Sequence, residues 1–404
     1  MRTKALLALA LAAAAIPGMA QEHLKSLDGK GLDPNISPKE DFYGHVNSKW
    51  MKDHPLSPEY SRYGQFNILN DSSNNRVQRL VMGLAATNPA KGTNAYKIAN
   101  IYELAMDSVR RNREGAAPIK ADLAKIENTK PEDMENLLIW IHRNYGSPFF
   151  NAAPQEDLGN SNIYAMYVGS TGLGLGDRDY YLLKDKKHKD ILNAYDRLIQ
   201  TDMKLAGYSA KDAKRIAKNV IKIETLLADS TWTREQSRNI PAMYNIRTMA
   251  QLQEMYPNIP WNRWFKETMN IDAPETVIVT EINTVKQADK LIKTLSDREK
   301  KDYYLWEYVS GAAPYLSDDF ANASFEFNKV MSGVQQQRPR WKKALGAVEG
   351  VMGEGIGQLY VEKYFPESSK EYMLQLVENL RNALGKHIIN LSLIHISEPT
   401  RPLY

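Results

Sequence analysis

Apolar residues along most of this chain recur at intervals of three and four, the spacing of a helix with one buried face. Ile98, Ile101, Tyr102, Ala105 and Val109 form one such stripe, which ends where Arg110, Arg111, Asn112 and Gly115 interrupt it. Ala213, Ile216, Ala217, Val220, Ile223 and Leu227 form another, with Ser209 placed to cap its first turn. Met134, Leu137, Leu138 and Ile141 make a third, opened by Thr129 and Pro131. Further helices are expected around 191–203, 288–295, 325–331 and 373–384. Strand signals are few: Ile163, Ala165 and Tyr167 alternate with Tyr164, Met166 and Val168, and Val277-Ile-Val279 is a short β-branched run. No motif repeats at a fixed period, and no stretch has the composition of a flexible linker. The pattern predicts a mostly α, multi-helix fold with a few short strands.

The two ends depart from this pattern. Residues 1–4 carry Arg2 and Lys4, residues 5–16 are wholly apolar, and Pro17-Gly-Met-Ala20 precedes polar Gln21. This is the layout of a secretory signal peptide, with cleavage expected after Ala20. The apolar run is too short for a membrane anchor, which needs about 20 residues. The mature protein, residues 21–390, is therefore expected in the periplasm or secreted, without a membrane anchor. At the other end, Leu391-Ser-Leu-Ile-His-Ile-Ser-Glu-Pro-Thr-Arg401 resembles one reading frame of a transposase adapter used in sequencing libraries. Residues 391–404 are accordingly read as a sequencing-adapter artefact, with the natural frame interrupted after about Asn390.

Composition narrows the chemistry. With 43% apolar residues in 404 and a formal charge of +4, the chain can bury a core and lacks the charge excess of a nucleic-acid binder. No nucleic-acid partner is expected. No Cys is present, so disulfides, thiolate metal sites and Cys nucleophiles are excluded, and a transition metal would need His with Asp or Glu. The seven His at 23, 45, 54, 142, 188, 387 and 395 contain no pair four apart, so no HExxH zinc helix exists in the chain. No catalytic or metal-ligating residue is assigned. Around the aromatic segment near Trp50, His45 and His54 read as surface or hydrogen-bonded groups.

Two further motifs read better as structure than as sites. Gly172-Leu-Gly-Leu-Gly176 is followed at once by Asp177 and Asp179, which would repel a phosphate, so a tight turn is expected there. Arg338-Pro-Arg-Trp-Lys-Lys343 is a basic patch expected to start a helix or to pair with carboxylates such as Glu349 and Glu354.

One ordered series of motifs points further. Asp33-Pro-Asn-Ile-Ser-Pro-Lys-Glu-Asp-Phe-Tyr43 and Val46-Asn-Ser-Lys-Trp50 resemble the opening of the neprilysin family of zinc metallopeptidases, which includes neprilysin, endothelin-converting enzyme and bacterial oligopeptidase relatives. Ser48 stands where that family usually has Gly. Ser61-Arg-Tyr-Gly-Gln-Phe66, Ile101-Tyr102 with Met106-Asp107, and Gly174-Leu-Gly-Asp-Arg-Asp-Tyr-Tyr181 follow in the family's order. So do Ile259-Pro-Trp261, Ser332-Gly333, Pro339-Arg-Trp341 and Gly357-Gln-Leu-Tyr-Val361 before Phe365.

The resemblance implies the N-terminal helical lobe of a two-lobed, zinc-dependent endopeptidase that hydrolyses oligopeptides. The family's HExxH and its downstream Glu, which hold zinc in the full-length parent, are absent here. This chain alone is thus expected to bind no zinc and to be inactive, with peptide substrates and the missing C-terminal catalytic lobe as its partners. Residues 32–57 are expected to pack on that lobe, leaving Phe42, Tyr43 and Trp50 uncovered without it. Residue by residue, the family's substrate-carboxylate arginine falls on Arg62 and its neighbouring aromatic on Phe66. A guanidinium suits a carboxylate because it offers two parallel charge-assisted hydrogen bonds. Asn67 and Asn70 replace an Asp and a second Arg of neprilysin, which implies a weaker clamp and argues against a peptidyl-dipeptidase preference. An ion pair between the lobes is the other role open to Arg62. A zinc-free helical peptide-binding protein is the alternative for the whole chain.

Overall fold

The computed structural model describes residues 31–390. The segments read as leader, 1–20, and as adapter, 391–404, lie outside the described residues, as do His23 and His395. The chain divides into two compact units at Phe66 and Asn67.

The first unit is built on helix α1, Phe42–Asp53. Asp41 caps it by accepting the Gly44 N–H at 2.7 Å. A side chain at 44 would collide with that carboxylate, which is why glycine follows Asp-Phe-Tyr. Buried Asp33 ties the preceding turn to the helix. Its carboxylate accepts the Ser48 hydroxyl at 2.8 Å and the Asn35 N–H at 3.1 Å, and these bonds, the Ser48 one foremost, hold it below the usual carboxylate range. Ser48, the departure from the family's glycine, thereby anchors the turn.

In the second unit, α2, Gln65–Ala86, continues from the end of the first and is followed by α3, Asn94–Met106, α4, Ser108–Glu114, α5, Lys120–Asn128, and α6, Met134–Asn144. Strands β1, Phe150–Asp157, and β2, Asn160–Ser170, form a hairpin. Helices α7, Lys186–Leu205, and α8, Ala210–Ser230, come next, then β3, Asn245–Thr248, α9, Met249–Met255, and β4, Thr276–Val279. The chain continues through α10, Ile282–Thr294, α11, Asp297–Ala312, α12, Asp318–Ser332, α13, Arg340–Tyr364, and α14, Glu367–Asn390. The sheet order is β1-β2-β4-β3, with β2 and β4 parallel and the other pairs antiparallel.

The helical and strand periods expected from sequence are met in most places. Ser209 caps α8 through the Asp212 N–H, and every residue of the α8 stripe is buried. The α6 stripe is likewise buried. One stripe fails. Asp107 ends α3 and caps α4, so Val109 sits on a separate short helix and is exposed, while Arg110, Arg111 and Asn112 continue that helix rather than end one. Strands β1 and β3 carry no sequence signal: Pro154 lies inside β1, and β3 has four residues of mixed polarity.

Two cores hold this unit. The larger joins α5 to α12 and the sheet around Phe150, Trp261, Trp264, Phe265 and Tyr303. The smaller packs Val77 and Val81 of α2, Ile98 and Tyr102 of α3, and Leu345, Val348 and Ile356 of α13. Helix α13 is broken at Met352, whose φ is −128°.

Candidate functional site

Arg62 lies in the bend just before α2, and its side chain is exposed with no ion pair to any described residue. Phe66 is the second residue of α2 and is 89% exposed. Beneath this bend, Tyr63 packs on Tyr60 and Trp50, with ring centroids 5.2 and 6.4 Å apart, and Trp50 stacks on His54 at 4.6 Å. Phe42 and Tyr43 are uncovered as expected, whereas Trp50 is half-buried by these stacks. Asn70 accepts a hydrogen bond from Asn74 at 2.8 Å.

Four of the five described histidines are engaged in local contacts. His45 Nδ1 contacts the carbonyls of Asp33 and Ile36 at 2.9 and 2.8 Å, and His54 Nδ1 contacts the Trp50 carbonyl at 2.9 Å. Since carbonyls only accept, both imidazoles carry their proton on Nδ1. His142 takes the opposite tautomer: Nδ1 accepts the Trp264 indole N–H at 3.1 Å, so Nε2 donates to the Pro148 carbonyl at 2.9 Å. Burial pushes it down to about 4 and keeps it neutral. His188 pairs with Asp185, and His387 is exposed on α14. Among the described residues no group of three His, Asp or Glu could hold a metal ion, so the residues present do not fit a zinc site.

The glycine turn at 172–176 leaves β2 and enters the large core. Gly172 and Gly176 have φ of +87° and +75°, which glycine adopts freely. Gly174 is pressed against the Tyr195 hydroxyl and the Glu224 carboxylate, leaving no room for a Cβ. A buried carboxylate therefore occupies the place where a phosphate loop would bring its anion. Glu224 accepts the Tyr181 hydroxyl at 2.6 Å and the Tyr195 hydroxyl at 3.1 Å. Both hydroxyls are oriented by N–H donors, Leu175 onto Tyr181 at 3.0 Å and the Trp306 indole onto Tyr195 at 2.9 Å. Burial raises Glu224 to about 8 against the pull of these donors. Nearby Glu307 and Asp202 are raised to about 7, again by burial.

Sequence reasoning did not single out these acids, although a signal existed. Glu224 falls at the helical spacing of Val220, Ile223 and Leu227, and Asp202 at that of Ile191, Tyr195 and Ile199, so each places a carboxyl on an apolar stripe.

The basic patch at 338–343 starts α13, as expected, but its partners differ from those expected. Arg340 pairs with Asp318, Lys342 with Asp71 at 2.8 Å, and Lys343 donates to Gln337 at 2.5 Å. Glu349 and Glu354 lie further along the helix and take no part in these pairs. Arg340 and Lys342 thereby join α13 to α12 and α2, while Arg338 stays exposed.

Comparison with known proteins decides the family. Residues 38–401 match the profile of Peptidase family M13. The chain belongs to peptidase family M13. Endothelin-converting enzyme 1 of Cavia porcellus is 27% identical over 373 residues, covering 89% of this chain and 49% of that protein. The Homo sapiens enzyme is 26% identical over 372 residues, with 89% and 48% covered. Among solved structures, the Mycobacterium tuberculosis zinc metalloprotease Zmp1 bound to an inhibitor superposes with a TM-score of 0.81 at 27% identity, covering 89% of this chain and 54% of that one. PepO of Lactobacillus rhamnosis shares the fold, with a TM-score of 0.72, 18% identity, and 85% and 54% covered. This chain thus spans about half the length of the relatives it matches, and it corresponds to the N-terminal part of an M13 peptidase. M13 peptidases are zinc metallopeptidases acting on peptides, so family membership implies zinc in the full-length enzymes.

Proposed function

We propose that this chain is the N-terminal, substrate-covering portion of a secreted or periplasmic M13 zinc metalloendopeptidase, and that hydrolysis requires a catalytic lobe this chain lacks. The carrying observation is that the family match runs through nearly the whole chain while covering about half of each relative, with no HExxH in 404 residues. The exposed apolar faces support it. Helix α14 buries no residue along its length although it carries Leu374, Val377, Leu380 and Leu384, and Phe42 and Tyr43 of α1 are uncovered. Apolar patches of this kind mark interaction surfaces, and the proposed occupant is the catalytic lobe. Among the described residues no helix is long and apolar enough to cross a membrane.

Arg62 is the residue proposed to receive the carboxylate end of a peptide, with Phe66 packing beside it. Its guanidinium is exposed and makes no ion pair with any described residue, and it can make the two parallel bonds a carboxylate accepts. With Asn70 held by Asn74, no second cation shares the load from that position.

Incubating the purified full chain with oligopeptides and added zinc tests the division of labour. No chelator-sensitive cleavage is expected, and zinc-dependent turnover would overturn the proposal. In the full-length parent, Arg62→Ala should raise KM for peptides with a free C-terminal carboxylate about tenfold or more and leave amidated peptides nearly unaffected. Equal effects on both would assign Arg62 a structural role instead.

A further inference from the structure

Beside the glycine turn, between α7, α11 and α12, lies a cavity of about 320 Å³. Its wall carries two carboxyls, Asp202 and Glu307, and the rings of Tyr195, Tyr303, Trp306 and Phe327. It contains no Lys, Arg or His. Asp202 is 1% exposed, and its Oδ1 is buried without a hydrogen-bond partner. Such an acceptor, cut off from water and unpaired, costs free energy until a donor reaches it. The nearby Tyr and Trp donors are directed elsewhere: the Tyr181 and Tyr195 hydroxyls go to Glu224, and the Trp306 indole N–H goes to Tyr195.

The chemistry of the lining selects a ligand class. Two acids with no basic neighbour call for a positive charge, and an unpartnered oxygen calls for an N–H or O–H donor. The aromatic faces add an electrostatic attraction for a cation and an apolar surface for whatever carries it. A bare divalent ion would want three or more oxygen or nitrogen ligands converging, and no such group of acids or imidazoles forms among the described residues.

We propose that this cavity binds a primary alkylammonium ion, its N–H groups donating to Asp202 and Glu307 and its alkyl part lying against Tyr195, Trp306 and Phe327. This site goes beyond the peptidase reading and does not rest on it. Burial raises both acids to about 7, and a cation placed beside them favours the charged form.

The test titrates n-butylammonium chloride into the full chain near neutral pH, by calorimetry and by melting temperature, with n-butanol, ammonium chloride and calcium chloride as separate arms. Saturable binding of n-butylammonium with a rise in melting temperature is expected, with none for n-butanol at matched concentration. Asp202→Asn and Glu307→Gln should each weaken binding about tenfold or more, the loss of one charge-assisted contact. Their unliganded melting temperatures should equal or exceed that of the parent chain, which shows that the fold survives. Absence of saturable binding overturns the proposal, as does equal binding of n-butanol. It also fails if calcium binds where n-butylammonium does not, or if both variants bind as the parent chain does.

Discussion

Gly174 offers the sharpest test of how the turn and the buried acid depend on each other. An ideal Cβ at 174 would overlap the Tyr195 hydroxyl and lie 2.8 Å from the ring carbon that bears it and 2.9 Å from Glu224 Oε1. The backbone there is not in the left-handed region, so Gly174→Ala acts by collision alone. Overpacking a core site costs about 1 to 3 kcal/mol. Pushing Tyr195 away breaks its bond to Glu224 and the indole bond from Trp306, and stranding a buried polar group adds about 1 to 3 kcal/mol. The expected loss is about 2 to 5 kcal/mol, measured by urea unfolding of the full chain. Removing the hydroxyl should relieve part of the collision, so Gly174→Ala with Tyr195→Phe should be less destabilised than the two single losses added, by about 1 kcal/mol or more. Gly172→Ala is the contrast: with φ at +87° and open space around it, it should lose about 1 kcal/mol from backbone strain, with no relief from Tyr195→Phe. A loss below about 1 kcal/mol for Gly174→Ala, or additivity with Tyr195→Phe, would refute the reasoning.

Other outcomes follow from the same structure. Asp302 is wholly buried and accepts Arg215 at 3.0 and 3.2 Å, Asn219 at 2.7 Å and Arg298 at 2.7 Å. Asp302→Ala leaves two guanidiniums facing each other, and since both side chains are about a third exposed the loss should be about 2 to 4 kcal/mol by urea unfolding. Stability should also fall as pH rises from about 4.5 to about 8. Glu224, Glu307 and Asp202 are raised to about 8, 7 and 7, so the fold keeps protons that the unfolded chain has released, and their contribution is lost as pH passes through those values. His142 acts in the other direction: lowered from 6.5 to about 4, it contributes stability above 6.5 that is lost as pH falls toward 4. Urea midpoints should therefore decline from about pH 5 to about pH 8, the three acids outweighing the one histidine below 6.5, and Glu307→Gln should flatten the decline; a midpoint that rises toward pH 8 would contradict the assignment.

What the chain itself determined was the class of fold and the family. Period-three-and-four stripes such as 213–227 become buried helix faces because a helix with one apolar side must cover it, whatever lies opposite. Ser209 acts as a cap by a local bond within three residues, which is why it is readable in sequence, and Asp107 caps α4 in the same way although the sequence reading did not single it out. Asp107 shows the limit of periodicity, since one good cap outweighed the stripe that ran to Val109. The family motifs were legible as an ordered series, and the family they point to is the one the comparisons show. Strands β1 and β3 were not legible, because their hydrogen bonds are made with β2 and β4, and a strand of mixed polarity next to such partners has no signature of its own. Only tertiary structure paired Lys342 with Asp71 across 271 positions, turned Ser48 into the anchor of Asp33, and brought Glu224, Glu307 and Asp202 from α8, α11 and α7 around one turn. Their burial, which sets their protonation, depends on neighbours distant in sequence, and a carboxyl's environment exists only once those neighbours are packed around it.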